Sequence, residues 1–520
     1  MVYAIVLSVI AGALGLYYFL FKDLNLFKKH DIPHQRPLPL FGNMAATIFR
    51  KKSVGDIVKM VYDRYPETKY AGMYDMISPV IMLRDPELIK SIALRHFDKF
   101  MNHNTFVRED QEPLFAKNLF NLRGNRWRVV RTLLSPTFTS SKMKNMFKLM
   151  SECAVDFTNF LAELPAERKM METKDIFTRY TNDVIATCAF GVSVDSMRNP
   201  KNLFYLYGRQ VAVFDITAFL KFIILRIMPR LAQLFRVKVI PRKIAMFFQD
   251  LVETTIRTRD EKGIVRPDML QLMMESRGKK DSKGKLTIED MTTQAFTFFF
   301  GGFDSTSTLM CFAAHEIAVN EDIRKRLQDE IDQVLEDTNG QAPYDAVNGM
   351  EYLDAVLNET LRMYPVAVVT DRVCMEDFEL PPTLPGKRPY TMKKGQIVWI
   401  PIYGLHHDPE YFKEPGKFDP KRFLGEQKKH TMNTGAYLPF GLGPRICIGN
   451  RFALLETKVL LFHLLARFDL LPCEKTPIPL KLAKDGFNMK AEGGFWLKVV
   501  PRKDPHRTIA VNCEVETSRL

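Results

Sequence analysis

The pattern of apolar and polar positions changes character several times along the chain. The first stretch, MVYAIVLSVIAGALGLYYFLF, runs from Met1 to Phe21 without a charge. As a helix it would be roughly 31 Å long, enough to cross a bilayer core of about 30 Å. A cleaved signal peptide would want a basic start, a shorter apolar core and a small-residue cleavage site. The start carries no Lys or Arg and no small-residue cleavage site follows the span, so residues 1–21 are predicted to be an uncleaved transmembrane helix. Lys22, Lys28, Lys29 and Arg36 follow it and place the downstream chain on the cytosolic side. Residues 22–42 are basic and rich in proline, and predict a stiff linker.

Beyond the linker, TKYAGMY and PVIMLR read as paired strands. From about Pro86 to Leu335 the period is helical. Residues 211–235 are unusually apolar, with Lys221, Arg226 and Arg230 spaced through them. A buried helix pair and an interfacial membrane helix both fit. Thr287 with Asp290 three residues on forms a capping signal, and a helix of roughly 30 residues is predicted from there to about Asn320. After Tyr364-Pro365 the pattern turns to strands and turns, with GQIVWIPI a strand and LPPTLPGKRP a loop. RFALLETKVLLFHLLARF is the last helix, and 504–520 form a polar tail. The predicted fold class is mainly α with a smaller β portion. No strand–GxGxxG–helix unit and no GxxxxGK[ST] loop is present, so a nucleotide-binding domain is not supported.

Composition narrows the function. The 520 residues are 46% hydrophobic, ample for a large core, and the formal net charge is +14. Such a balance suits a negatively charged partner. There is no long basic run and no zinc-finger spacing, so a membrane surface or an acidic protein fits better than nucleic acid. The 7 cysteines are widely spaced without a CxxC, which argues against a disulfide framework or a structural zinc site.

Candidate chemistry lies in four places. The long helix carries FFFGGFDSTST, residues 298–308. Two adjacent glycines cost about 1 kcal/mol each against alanine. Asp304, Ser305 and Thr306 then place an acid beside hydroxyls, which can relay protons, although a kinked helix with a solvent-facing acid would look the same. Glu359 and Arg362 share a helix face at i, i+3, and Arg422 lies in a proline turn downstream. A carboxylate between two guanidiniums would pin distant segments together if buried. Trp127 and Arg131 share a face at i, i+4, and with Arg372 and Arg445 offer fixed donors to a ligand bearing carboxylates. An amphipathic basic helix is the plainer reading of that pair.

The fourth place is PFGLGPRICIGN, residues 439–450. Phe440, Gly443, Arg445, Cys447 and Gly449 fit F-x-x-G-x-R-x-C-x-G. With ordinary residue usage, five fixed positions match by chance on the order of one in ten million starts. A cysteine in a glycine- and proline-rich loop that opens a helix can be a nucleophile, a redox thiol or a metal ligand.

These four pieces, in the order they take along the chain, resemble the cytochrome P450 haem-thiolate monooxygenases, and the resemblance covers nearly the whole chain from the anchor to about Arg502. It implies a P450 fold over residues 43–503 behind the N-terminal transmembrane helix. It implies haem b with Cys447 as proximal iron ligand, Phe440 packed near the sulfur, and Trp127, Arg131, Arg372 and Arg445 holding the propionates. Glu359, Arg362 and Arg422 match the family's structural triad, and Asp304-Ser305 its acid–alcohol pair, with Thr306 next. One departure is that Ser305 stands where most members carry Thr. The implied reaction inserts one atom of O2 into an apolar small molecule, with NADPH electrons delivered by NADPH–cytochrome P450 reductase and cytochrome b5 as a further candidate donor. The anchor and linker resemble those of microsomal members, in the endoplasmic reticulum membrane with the body facing the cytosol. The wording is most similar to the insect detoxifying branch.

Phe-rich walls suit an apolar substrate. Phe106, Phe115, Phe120, Phe296, Phe299, Phe303, the run Val366 to Thr370 with Val369 in it, and Phe487 to Met489 are the expected lining residues, against core packing for each phenylalanine. Arg126, Arg128, Lys428 and Lys429 are expected on the reductase-facing surface. Two other classes remain open from the sequence: a haem-thiolate isomerase or dehydratase on the same fold, and a non-catalytic haem-binding sensor or carrier.

Overall fold

The structure, a computed structural model, describes residues 2–503 except 106, 108, 110–111, 213–216, 218–219, 222–223, 226–228, 236, 277–285 and 485–488. The apolar start forms one 20-residue helix, Val2–Phe21, with Tyr3, Ile5, Leu7, Leu14 and Tyr18 exposed. Among the described residues no helix is long and apolar enough to cross a membrane. Several side chains of Val2–Phe21 lie outside those residues.

The linker is not a free spacer. Leu26–Lys29 is a short helix whose Phe27 is buried, edge-on to Tyr74 at 5.0 Å between ring centroids. Any Cβ at position 72 would strike the Phe27 ring, so only glycine admits it there. The Tyr74 hydroxyl donates to the Asp23 carbonyl at 2.9 Å, and the Gly72 amide donates to the Pro33 carbonyl at 2.8 Å. The segment is thus seated on the first sheet. Its lysines and prolines hid the large apolar residues that dock it, Phe27 and Ile32.

That sheet pairs Tyr70–Asp75 antiparallel with Ser78–Leu83, which runs parallel to Ile397–Ile400, itself antiparallel to Thr370–Val373. The predicted strand pair and the GQIVWIPI strand are both in it. Two smaller sheets complete the minor β portion. The helical body is built around Ile288–Val319, 32 residues long, opened by the predicted capping box between Thr287 and Asp290. Its C-terminal half, Thr306–Ala318, is buried on all sides, as a helix running through a core must be. Thr173–Ile185, Glu351–Met363 and Asn450–Arg467 pack against it. Parts of the apolar stretch 211–235 lie outside the described residues, as does the whole tail 504–520.

Candidate active site

The cysteine loop closes on itself through backbone geometry. The Cys447 amide donates to the Phe440 carbonyl at 2.9 Å, and the Gly441 amide to the Leu438 carbonyl at 3.0 Å. Gly443 sits at φ +76°, where a Cβ would also collide with the Ala93 carbonyl oxygen, so both backbone angle and space demand glycine. The helix Asn450–Arg467 then starts two residues beyond Gly449's predecessor. Cys447 opens onto a cavity of about 450 Å³, within the usual size of small-molecule and cofactor sites. Burial of the surrounding loop pushes the thiol up, while the Gly449 amide and the Arg131 charge pull it down.

The cavity's other principal wall is the long helix. Phe298, Gly301, Gly302, Ser305, Thr306 and Leu309 line it, the spacing of one helical face. A Cβ at Gly301 would meet nothing within 4 Å, so this turn leaves room for a group lying against the backbone. Ser305 Oγ donates back to the Gly301 carbonyl, and Thr306 is buried. Asp304 points to the neighbouring helix, where Lys174 Nζ reaches its carboxylate at 2.9 Å. The same ammonium donates to Ser307 Oγ and Thr308 Oγ1, each at 2.7 Å. Lys174 lies 130 residues away in sequence and carried no signal of this role.

Trp127, Arg131, Arg372 and Arg445 all line the cavity, as does His103, which sequence reasoning missed. Arg445 lies over the Trp127 ring at 4.1 Å. It donates to the carbonyls of Met101 (2.9 Å), Leu119 (3.2 Å), Phe120 (3.1 Å) and Leu122 (2.7 Å). Burial first, then the charges of Arg372 and Arg131, push Arg445 down to about 9. Arg372, pushed down to about 10 by burial, holds a buried Nε without a hydrogen-bond partner. Arg131 has no side-chain partner among the described residues, and burial lowers it too. Buried donors left unpaired are costly, and so is a cluster of like charges. A ligand carrying carboxylates would relieve both. The donor set, the open glycine turn and the inward thiol therefore fit haem, with Cys447 on iron, and Arg131 and the unpaired Nε of Arg372 placed to donate to its propionates, while another Arg372 nitrogen donates to the Asp371 carbonyl at 2.6 Å.

The triad residues meet. Arg362 binds Glu359 through Nε to Oε2 at 2.7 Å and through a second nitrogen to Oε1 at 2.8 Å, with both side chains inaccessible. Arg422 Nε reaches Glu359 Oε1 at 3.4 Å, and the Asp419 amide donates to the same oxygen at 2.9 Å. A carboxylate so surrounded meets the condition for a buried ion pair, full hydrogen bonding.

The lining residues divide. Phe120 and Thr370 line the cavity, with Val366 and Ala367. Phe299 and Phe303, expected there, do not. They face away with Phe296: Phe299 packs with Phe190, Phe204 and Phe248, at 4.9 Å from the last, and Phe303 packs with Phe299 and Tyr205. Helical phase is the reason: Phe298 points into the cavity, and its neighbour points about 100° away. Phe115 packs edge-on to Phe300 at 5.7 Å, and neither it nor Val369 is among the lining residues. Phe106 and Phe487 lie outside the described residues. The basic residues expected to meet a reductase each have an acidic partner: Arg126 with Glu109 (3.0 Å), Arg128 with Asp98, Lys428 with Asp354 (3.1 Å), and Lys429 with Glu426 (2.6 Å).

Comparison with known proteins agrees with this geometry. A profile of the family described as Cytochrome P450 matches residues 32–497. Cytochrome P450 9e2 of Blattella germanica is 46% identical over 506 residues, covering 92% of this chain and 94% of that protein. A probable cytochrome P450 9f2 of Drosophila melanogaster is 40% identical (92% and 95% covered), and cytochrome P450 6j1 of Blattella germanica 37% (93% and 95%). With similarity of this extent, and a thiol facing the open glycine turn across an apolar cavity, the chain belongs to the cytochrome P450 family and is a monooxygenase of the haem-thiolate type.

Proposed function

We propose that this protein inserts one oxygen atom of O2 into an apolar small molecule, taking NADPH electrons through NADPH–cytochrome P450 reductase, with cytochrome b5 as a second donor. The observation that carries the reading is Cys447 facing the Gly301–Thr306 turn across an apolar cavity. When bound, thiolate-ligated haem b supplies O2 activation. The chain's own residues do the rest. Cys447 provides the thiolate, and Arg131 and Arg372 hold the propionates. Phe120, Ile185, Phe298 and Val366 offer apolar surface to a substrate and exclude water. Ser305 and Thr306 hold protons on the cavity side, and Asp304, tethered by Lys174 near the surface, exchanges them with solvent. The substrate proposed for it is a xenobiotic or an endogenous lipid or hormone, in keeping with the apolar lining of the cavity.

Residues 1–21 are proposed to anchor the chain in the endoplasmic reticulum membrane with the body in the cytosol. Support comes from the uncharged helix, the lysines after it, and the exposed Leu38, Phe49, Leu220, Leu234 and Phe235, an apolar set suited to a lipid surface.

The test uses the full-length protein. Reduced and exposed to CO, it is expected to show the absorption band of thiolate-ligated haem, and Cys447→His to lose it. With reductase and NADPH, an apolar substrate is expected to stimulate O2 uptake. Turnover without O2 would point instead to an isomerase or dehydratase.

A further inference from the structure

His406 ends the short helix Ile402–His406 and is wholly buried, outside the cavity lining. It makes three hydrogen bonds that join two parts of the site. Its carbonyl accepts from an Arg362 guanidinium nitrogen at 3.0 Å. Its Nδ1 lies 3.2 Å from the Arg362 carbonyl. Its Nε2 lies 2.9 Å from the Leu438 amide nitrogen. These partners dictate the tautomer: a carbonyl demands a proton on Nδ1, and an amide N–H demands a bare Nε2. Burial, and after it His407 and the Arg362 charge, push His406 well below the usual histidine range, in keeping with a neutral ring. The ring also stacks on Tyr437 at 5.2 Å, whose hydroxyl donates to Asn358 beside Glu359.

Leu438 leads directly into the cysteine loop. Its carbonyl takes the Gly441 amide, and the Phe440 carbonyl takes the Cys447 amide. A continuous series of hydrogen bonds therefore runs from the Glu359–Arg362 pair through the His406 ring to the loop holding the thiol. We infer that His406 is a positioning residue for the thiolate: by accepting from Leu438 it fixes the start of the loop in the register that aims Cys447 into the cavity. The inference rests on Cys447 being the iron ligand.

Two substitutions separate the ring's bonds. The oxygen of His406→Gln can reach the place of Nε2 and keep the Leu438 partner. The shorter His406→Asn can serve the Arg362 carbonyl and leaves the Leu438 amide unpaired. In the haem-loaded, full-length protein the CO-bound reduced spectrum is followed with time at fixed temperature, with haem content measured alongside. His406→Asn is expected to lose the thiolate band about tenfold faster than wild type, the effect of a buried amide without an acceptor, and His406→Gln to lose it at near the wild-type rate. Equal rates in wild type and both variants overturn the inference. So does equal acceleration, or failure of both to load haem, since either assigns His406 to packing alone. A wild type without the band, or a Cys447→His variant that keeps it, would instead sink the ligand assignment itself.

Discussion

The two walls of the cavity are built in opposite ways. On the cysteine wall the groups that fix the loop are held from several sides: Gly443 fits closely against Ala93, Arg445 donates to four carbonyls, and Glu359 lies between Arg362 and Arg422. The helix wall presents two glycines, an apolar ring and the Ser305 hydroxyl, bonded to its own helix. A metal ligand must be held at one place, so its loop is over-determined. A wall that meets O2, protons and varied substrates needs space and exchangeable hydrogen bonds. The difference teaches where substitutions destroy the protein and where they redirect it.

The largest effect is expected on the cysteine wall. Glu359→Ala leaves Arg362 charged and unpaired in the core, at a cost of about 3–5 kcal/mol. Purified protein should carry little haem and melt at a much lower temperature. Normal haem content in that variant would break the contrast at its strongest point.

Next come two neighbouring phenylalanines on the helix wall. Phe299→Ala is expected to cost about 3–5 kcal/mol of stability, because Phe299 fills the aromatic cluster. Phe298→Ala should instead enlarge the cavity, with a smaller loss in thermal melting and altered binding spectra across a panel of apolar compounds. Equal melting shifts for the two would contradict the helical phase described above.

A smaller effect belongs to the relay. Ser305→Ala and Thr306→Ala should each keep haem and substrate binding yet make less product per NADPH, with more peroxide released. The double variant is expected to fall furthest, by about 100-fold in product formation, the lower end of what a positioned proton donor contributes. Wild-type coupling in all three would make the hydroxyls structural.

The smallest effect is expected at the exposed ion pairs. Arg126 and Arg128 already face Glu109 and Asp98, and such pairs contribute about 0–1 kcal/mol. At limiting reductase, Arg126→Glu should slow turnover modestly, and added salt should reduce the difference, with screening over about 8 Å at 0.15 M. Complete loss of electron transfer would place more of the docking energy here than local pairing allows.

Much of this protein was decided by local sequence. The capping box at Thr287–Asp290 fixes where the long helix begins, because it satisfies the helix's own first amides. The strands Tyr70–Asp75 and Ser78–Leu83 follow from two short apolar runs and a tight connection, and the cysteine loop from residues that only one backbone path accommodates. Those features depend on neighbours along the chain. Other features depend on neighbours across space. Phe299 and Phe298 are alike in sequence, and only the helices packed on one side decide which of them faces the cavity. Lys174 meets Asp304 across 130 residues, and His406 meets Leu438 across 32. Neither lysine nor histidine differs, in its local pattern, from others that do nothing of the kind. Phe27 lay in a basic stretch that read as linker, yet the space left by Gly72 seats it in the body. Residue type and spacing determined the family, the thiol and the triad. Packing determined which side chains the site uses, because burial and hydrogen-bond partners exist only once distant segments are brought together.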